Sequence, residues 1–240
     1  MMDFEIKKYP RTPHIEGSRL QPGDEDLSQI PFVAIKGKHI VIEEKVDGAN
    51  TAISFRDDGE LLLQSRGHYL TGGYRERHYE LMKQWAAVHR ERFHEVIGCR
   101  YIMYGEWLYA RHRIAYDRLP HYFLEFDILD RETGLFLDTV SRRKITAQMP
   151  VCSVPVLSEG TFDKKEDVLA YLGTSNFGPE IMEGLYIKVE ESGFVVNRLK
   201  YVRPAFSQWE EPEGAWLGRD IVTNGLSVPL SELYHPDYHG

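Results

Sequence analysis

Hydrophobic and polar positions divide the chain into short alternating runs, separated by turns rich in glycine, aspartate and arginine. HIVIEEK (39–45), TAISF (51–55) and ELLLQS (60–65) read as strands, the last two joined by Arg56-Asp57-Asp58-Gly59, a hairpin turn. RYIMYGEWLYA (100–110) and HYFLEFDILD (121–130) are predicted as further strands. EGLYIKVE (183–190) and FVVNRLKYV (194–202) flank Glu191-Ser192-Gly193, a second hairpin. Helical spacing governs residues 74–97, where Leu81, Trp85, Val88 and Val96 recur with charge between them. Two more helices are predicted, over 138–148 beginning near Asp138 or Ser141, and over 163–172 with Asp163 or Thr161 as cap. Residues 8–31, rich in Pro, Gly and charge, read as irregular.

Strands outnumber helices and come in hairpins, not in strict strand–helix alternation. That pattern predicts an α+β fold with an antiparallel sheet over a doubly wound one. Three regions follow: an N-terminal arm over 1–38 packed on the domain, a core over 39–203, and a short aromatic and acidic C-terminal appendage over 204–240. There is no internal repeat and no low-complexity segment.

A hydrophobic fraction of 42% with 28% charged residues is ordinary for a globular protein. No apolar stretch approaches the ~20 residues of a membrane span. The first residues lack the apolar core and small-residue cleavage site of a signal peptide. Cys99 and Cys152 show no metal-type spacing and are expected as free thiols in a reducing, cytoplasmic setting.

The net charge of −8 argues against a bulk binder of polyanions, but it averages the whole surface. Arg66, Arg75, Arg77, Arg111, Arg113 and Arg118 lie in the middle, and Lys188, Arg198, Lys200 and Arg203 follow. Acid gathers at Asp24-Glu25-Asp26 and at Glu210, Glu211 and Glu213. A basic groove on an acidic body is compatible with these counts.

The sharpest candidate chemistry is Glu44-Lys45-Val46-Asp47-Gly48-Ala49-Asn50, where a strand delivers a lysine into a glycine turn that lets backbone approach a ligand. Lys45 can be a phosphate anchor, a nucleophile or an ion-paired residue in a surface turn. A nucleophilic amine must be neutral, and a free lysine at pH 7 is not. Neighbouring carboxylates raise its pKa further, so the nucleophile reading demands cations or a metal from elsewhere.

Other segments supply such groups. Ser65-Arg66-Gly67 sets a guanidinium on a turn, suited to phosphate. Tyr104-Gly105-Glu106-Trp107 puts a carboxylate on a strand. Phe126, in Phe123-Leu124-Glu125-Phe126-Asp127, offers a ring for a base, although such a ring more often belongs to the core. Glu183 and Lys188 lie five positions apart and face opposite ways unless a bulge or Gly184 shifts the phase. Arg198-Leu199-Lys200 puts two cations on one strand face, an arrangement suited to phosphates.

In this order the segments resemble the covalent nucleotidyltransferase superfamily of ligases and RNA-capping enzymes, and within it ATP-dependent RNA ligases of the nick-sealing kind. Lys45-Val46-Asp47-Gly48-Ala49-Asn50 is similar to the first motif, K-x-D/H-G-x-N, and Ser65-Arg66-Gly67 to the next. Glu106 in YGEW, Phe126-Asp127 in LEFDI, Glu183-Gly184 with Lys188, and Arg198-Leu199-Lys200 complete the series over roughly 40–203. Asn50 favours RNA ligases over DNA ligases and capping enzymes, which usually have arginine there.

The resemblance implies an antiparallel-sheet nucleotidyltransferase domain of the ATP-grasp-like ligase-adenylation kind. It implies that Lys45 attacks ATP to give lysyl-AMP, that AMP passes to a 5′-phosphate end, and that a 3′-hydroxyl then displaces it in RNA repair. By position, Glu44 contacts the adenine edge, Phe126 stacks on the ring, Arg66 and Glu106 hold ribose and phosphate, and Asn50 orients phosphate or sugar near Gly48. Lys188 and Lys200 grip the α-phosphate. Arg198 stands where such ligases often have lysine, so it keeps the charge but not the geometry. Glu183, with Glu106 or Asp47, holds Mg²⁺ or Mn²⁺ directly or through water.

Nick-sealing relatives carry a further domain after the fifth motif, whereas this sequence reaches Gly240 soon after Arg203. Sealing is therefore expected to draw on the arm, a dimer or a partner such as an end-healing kinase-phosphatase. Tyr9-Pro10-Arg11-Thr12-Pro13-His14 is expected to be an ordered surface arm, with folding over the nucleotide or contact with the substrate as the alternative. A capping-type guanylyltransferase would take GTP instead, and an inactive nucleotide- or RNA-binding module would bind without a covalent adduct. The complete set Lys45, Glu106, Glu183 and Lys200 argues against the latter.

Overall fold

The computed structural model describes residues 5–20, 23–24, 27–206 and 220–240. Glu25, Asp26, Glu210, Glu211 and Glu213 lie outside the described residues, as does the side chain of Arg75. The strands are β1 His14–Ile15, β2 Gln29–Ile30, β3 His39–Lys45, β4 Ala49–Phe55, β5 Leu61–Ser65, β6 Tyr101–Trp107, β7 Phe123–Asp130, β8 Leu135–Leu137, β9 Cys152–Ser153, β10 Val156–Thr161, β11 Gly184–Glu191 and β12 Phe194–Val202. The helices are α1 Glu80–Val88, α2 Arg90–Ile97, α3 Thr139–Thr146 and α4 Lys165–Leu169.

One sheet runs β10-β3-β11-β12-β8-β7-β6-β4-β5, antiparallel at every step. The expected α+β antiparallel architecture is the observed one. Three short strands join in parallel: β1 beside β12 and β2, and β9 beside β7. The β11–β12 turn uses Ser192 at φ 53° and Gly193 at φ 89°, the paired positive angles whose twist matches a tight hairpin.

Two wings result. On β3, β11 and β12 the residues Ile40, Ile42, Leu185, Ile187 and Leu199 bury one face with Phe32, Ile35 and Val168 of α4. On β4, β6 and β7 the residues Ile53, Phe55, Met103 and Phe123 bury the other core with Met82, Trp85, Phe93 and Ile97 of α1 and α2. Three-residue β8 links β12 to β7 at one end only, through Phe136, which pairs with Val195 and Leu129. At the other end the wings part around a cavity.

Between the wings lies a buried ionic floor. Glu43 pairs with Arg142 of α3 and with Lys188 at 2.8 Å, Lys188 with Asp127 at 3.1 Å, and Arg142 with Glu125 at 3.4 Å. Arg198 completes it 3.9 Å from Asp127, giving three carboxylates against three cations. Burial opposes the charge on Asp127, but Lys188, Arg198 and Arg142 hold it below the usual carboxylate range.

The predicted helix over 74–97 is a 3-10 turn, Tyr74–Tyr79, followed by α1 and α2, which break at His89 (φ −96°, ψ 10°). The break turns Trp85 and Phe93 inward and leaves Val88 60% exposed, against its predicted place on the apolar face. Asp138 caps α3 as expected, accepting from Ser141 N at 2.8 Å. Helix α4 is shorter than predicted: Thr161 belongs to β10, and the cap is Lys164 without a side-chain hydrogen bond. No helix among the described residues is long and apolar enough to cross a membrane.

Candidate active site

A cavity of about 1400 Å³ opens where the wings part. Its heart is Lys45 at the end of β3. Period-two alternation puts Val41, Glu43 and Lys45 on one face, and the ladder sets Lys45 opposite Gly184, Glu43 opposite Tyr186 and Tyr186 opposite Lys200. Lys45 Nζ donates to Glu183 Oε2 at 2.7 Å. Asn50 and Glu106 are paired neighbours on β4 and β6 across the cavity. Gly48 has no room for a side chain: a Cβ there would lie 2.6 Å from Leu108 Cδ2 and 2.7 Å from the Trp107 carbonyl.

Electrostatics at Lys45 are dominated by acid. Burial lowers its ammonium pKa, but Glu183, Glu106 and Asp47 outweigh that and hold it above the ordinary lysine value. Burial pushes Glu106 up to about 8, with Lys45 opposing and Glu183 and Asp47 reinforcing. Burial likewise pushes Glu183 up to about 7. Two strained carboxylates share one lysine, and the buried Glu183 Oε1 has no hydrogen-bond partner among the described residues. This donor set fits a divalent cation that takes its remaining ligands from water and phosphate. Among the described residues no three His, Cys, Asp or Glu side chains form a complete metal cage.

The expected site residues separate into two groups. Lys45, Gly48, Asn50, Arg66, Glu106, Phe126, Glu183 and Lys200 line the cavity, with Arg66 exposed at its rim. Lys188, expected at the α-phosphate, and Arg198, expected among the nucleotide contacts, do not. They pair with each other two residues farther along the ladder than Tyr186 and Lys200, in the ionic floor, where Lys188 is fully buried and donates to the Phe126 carbonyl. Arg198 lies 3.9 Å over the Phe136 ring.

Asp47 and Glu44 line the cavity but are engaged elsewhere. Asp47 Oδ2 accepts from the backbone N–H of Arg113 at 2.7 Å and Ile114 at 3.1 Å, and its own N–H donates to Tyr116 Oη. It anchors that loop, so one of its oxygens is already engaged by backbone N–H groups instead of being open to a metal. Both Glu44 oxygens are held by Ser175 and Asn176, so the expected adenine contact meets a carboxylate already in use.

Tyr9 and Thr12 of the arm line the cavity instead of lying on the surface, and Asp24, which sequence reasoning missed as a site residue, joins them. Tyr9 packs edge-on to Phe126, with centroids 5.0 Å apart. Its hydroxyl donates to Asp127, which leaves Tyr186 to donate to Tyr9 at 2.5 Å and Thr12 to donate to Tyr186 at 2.9 Å. Asp24 pairs with Lys200. Of these residues only Tyr186 had a local signal, since it shares the alternation of β11 with Lys188.

The RNA ligase family profile matches residues 38–202, well over half of the chain. The chain belongs to the RNA ligase family. Among solved structures it is similar to Naegleria gruberi RNA ligase in several states. A lysine-to-alanine variant with ATP and Mn superposes at TM-score 0.63 and 19% identity, over 83% of this chain and 57% of that one. A glutamate-to-alanine variant with AMP and Mn gives TM-score 0.63 and 19% identity over 83% and 56%. The enzyme with PPi gives TM-score 0.61 and 19% identity over 83% and 56%. At such identity the likeness shows the fold. The chain spans little more than half the length of these relatives, and comparison with curated proteins gives no match.

Proposed function

We propose that this chain is an ATP-dependent RNA ligase in which Lys45 carries AMP covalently. The observation that carries the reading is Lys45 itself, held 2.7 Å from Glu183 in a cavity that also presents Lys200, Glu106 and Asn50. Lys45 Nζ forms a bond to the α-phosphorus of ATP as the bond to pyrophosphate breaks. Nζ gives up two protons in all, one before attack and one as the phosphoramidate forms, which pass to water and to the departing pyrophosphate, while Glu183, already its acceptor, orients the amine. The resting site keeps Lys45 charged. A Mg²⁺ or Mn²⁺ ion held by Glu106 and Glu183 would supply the positive charge that offsets the carboxylates and favours the neutral amine.

Lys200 meets the phosphates, and Phe126 with Tyr186 offers aromatic faces to the base. ATP, AMP, Mn and PPi in the Naegleria gruberi structures support this use of the site. AMP then passes to a 5′-phosphate end of RNA, and a 3′-hydroxyl displaces it to seal the strand. Arg66, Arg111 and His112 on the rim suit that polynucleotide. The substrate we favour is a nick in duplex RNA within repair, with ends prepared by a kinase-phosphatase. Free thiols at Cys99 and Cys152 support a cytoplasmic setting.

The test is sealing of a 5′-phosphate nick with RNA or DNA on the 3′-hydroxyl side, with ATP or GTP and Mn²⁺. Faster joining of RNA, with ATP alone, is expected. Equal rates on both strands count against an RNA ligase, and joining with GTP alone counts against the ATP site.

A further inference from the structure

The N-terminal arm precedes the segment matched to the family, yet it reaches the cation at the phosphate end of the cavity. Strand β1 lies parallel to β12 with His14 opposite Lys200, and Lys200 N donates to the Pro13 carbonyl at 2.9 Å. Asp24 Oδ2 accepts from Lys200 Nζ and lies 3.1 Å from His14 Nε2. His14 Nδ1 lies 2.6 Å from Ser18 Oγ.

The hydrogens of this relay are fixed by its ends. The Asp24 carboxylate only accepts, so the proton of the neutral ring sits on Nε2 and the Ser18 hydroxyl donates to His14 Nδ1, while its oxygen accepts from Val202 N at 2.9 Å. His14 therefore carries its proton on Nε2 and donates it to Asp24. Burial favours that neutral ring. Arg11 approaches the other Asp24 oxygen at 3.3 Å. An ammonium has three N–H donors; one goes to Asp24 and the others are available for phosphate oxygens.

We propose that Asp24, fixed by His14 and Ser18, is a positioning residue that aims Lys200 at the phosphates of the nucleotide. The proposal rests on the reading of this cavity as an ATP site. Asp24 acts as a fixed support and not a releasable latch. Its carboxylate is held by His14, which is fully buried and tied through Ser18 to the backbone of β12, the strand that bears Lys200. Both ends of the relay are thus fastened to one strand pair.

Labelling of the full chain by α-labelled ATP with Mn²⁺, over a range of ATP concentrations, separates KM from the limiting rate. Asp24→Asn is expected to raise KM for ATP about tenfold, the loss of one charge-assisted hydrogen bond. Adenosine, which lacks phosphates, is expected to inhibit Asp24→Asn and wild type alike. His14→Gln keeps an N–H donor near the place of Nε2 and is expected to label like wild type, whereas His14→Leu follows Asp24→Asn. An unchanged or lowered KM in Asp24→Asn, or equal losses for ATP and adenosine, overturns the proposal. Should Asp24→Asn fail to fold, the two His14 variants decide, and equal labelling by both overturns it. An unlabelled wild type defeats the ATP-site reading and this proposal together; a labelled wild type with an insensitive Asp24→Asn defeats this proposal alone.

Discussion

Lys45 and Glu183 meet across the seam between β3 and β11, with Nζ donating to Oε2 at 2.7 Å, while Glu106 faces them from β6 with no second cation of its own among the described residues. The site therefore holds more negative charge than its lysine can balance. That imbalance makes it receptive to a metal and to a phosphate-bearing ligand together.

Stability should record the imbalance. Burial raises Glu106 from 4.5 to about 8, so the native state keeps a proton that the unfolded chain releases at lower pH. The stability tied to that proton is present below about pH 4.5 and lost as pH rises to about 8. Without divalent metal, Glu106→Gln should gain on wild type by up to about 1.4 kcal/mol per pH unit through this window. Denaturant unfolding at a series of pH values measures it, and a pH-independent difference contradicts it.

Lys188 and Lys200 should fail differently. Lys188→Met leaves Glu43 and Asp127 buried with too little compensation and should cost about 3–5 kcal/mol of stability. Lys200→Ala should cost less stability and lower adenylylation at least about tenfold. Parallel unfolding and labelling measurements separate the two, and equal stability losses contradict the assignment of Lys188 to the floor.

Phe126→Ala should weaken ATP use by about 1–3 kcal/mol, the range for a base stacked on an aromatic ring. Tyr9→Phe removes the hydroxyl that donates to the buried Asp127 and should destabilise the fold by about 1.5–3 kcal/mol. KM for ATP and urea unfolding test the pair. A Phe126→Ala protein that unfolds without a change in KM would make that ring a core residue.

Chelation should stop adenylylation. Mn²⁺ without ATP should raise the melting temperature of wild type, because a ligand bound only by the native state stabilises it. Glu183→Gln should lose that shift. A shift preserved in Glu183→Gln places the metal elsewhere.

Much of the core was legible because its strands alternate: β3, β5, β6, β7 and β12 fall within the predicted runs, while β4 begins two residues before its run and β11 ends one residue beyond its own. Strand β10 (VLSEGT) was not, since an edge strand with two exposed and four half-buried positions carries little alternation. For the site, the segment spelled out Lys45, Gly48 and Asn50, and alternation put Arg198 and Lys200 on one face, which the register shows Lys188 shares. Depth along that face depends on register between strands, which no single segment encodes. Hence Lys188 and Arg198 fell into the floor while Lys200 stayed in the cavity. The engagement of Glu44 and Asp47 comes from loops 175–176 and 113–116, and the arm residues Tyr9, Thr12 and Asp24 come from farther still. Nothing near them in sequence announces those contacts.

The covalent role of Lys45 is most directly tested by incubating the full chain with α-labelled ATP and Mn²⁺, denaturing it, and following the label by electrophoresis. The structure predicts a labelled wild type, an unlabelled Lys45→Ala, and release of the label by added pyrophosphate. Label that persists in Lys45→Ala, or a wild type that takes none from ATP, contradicts it.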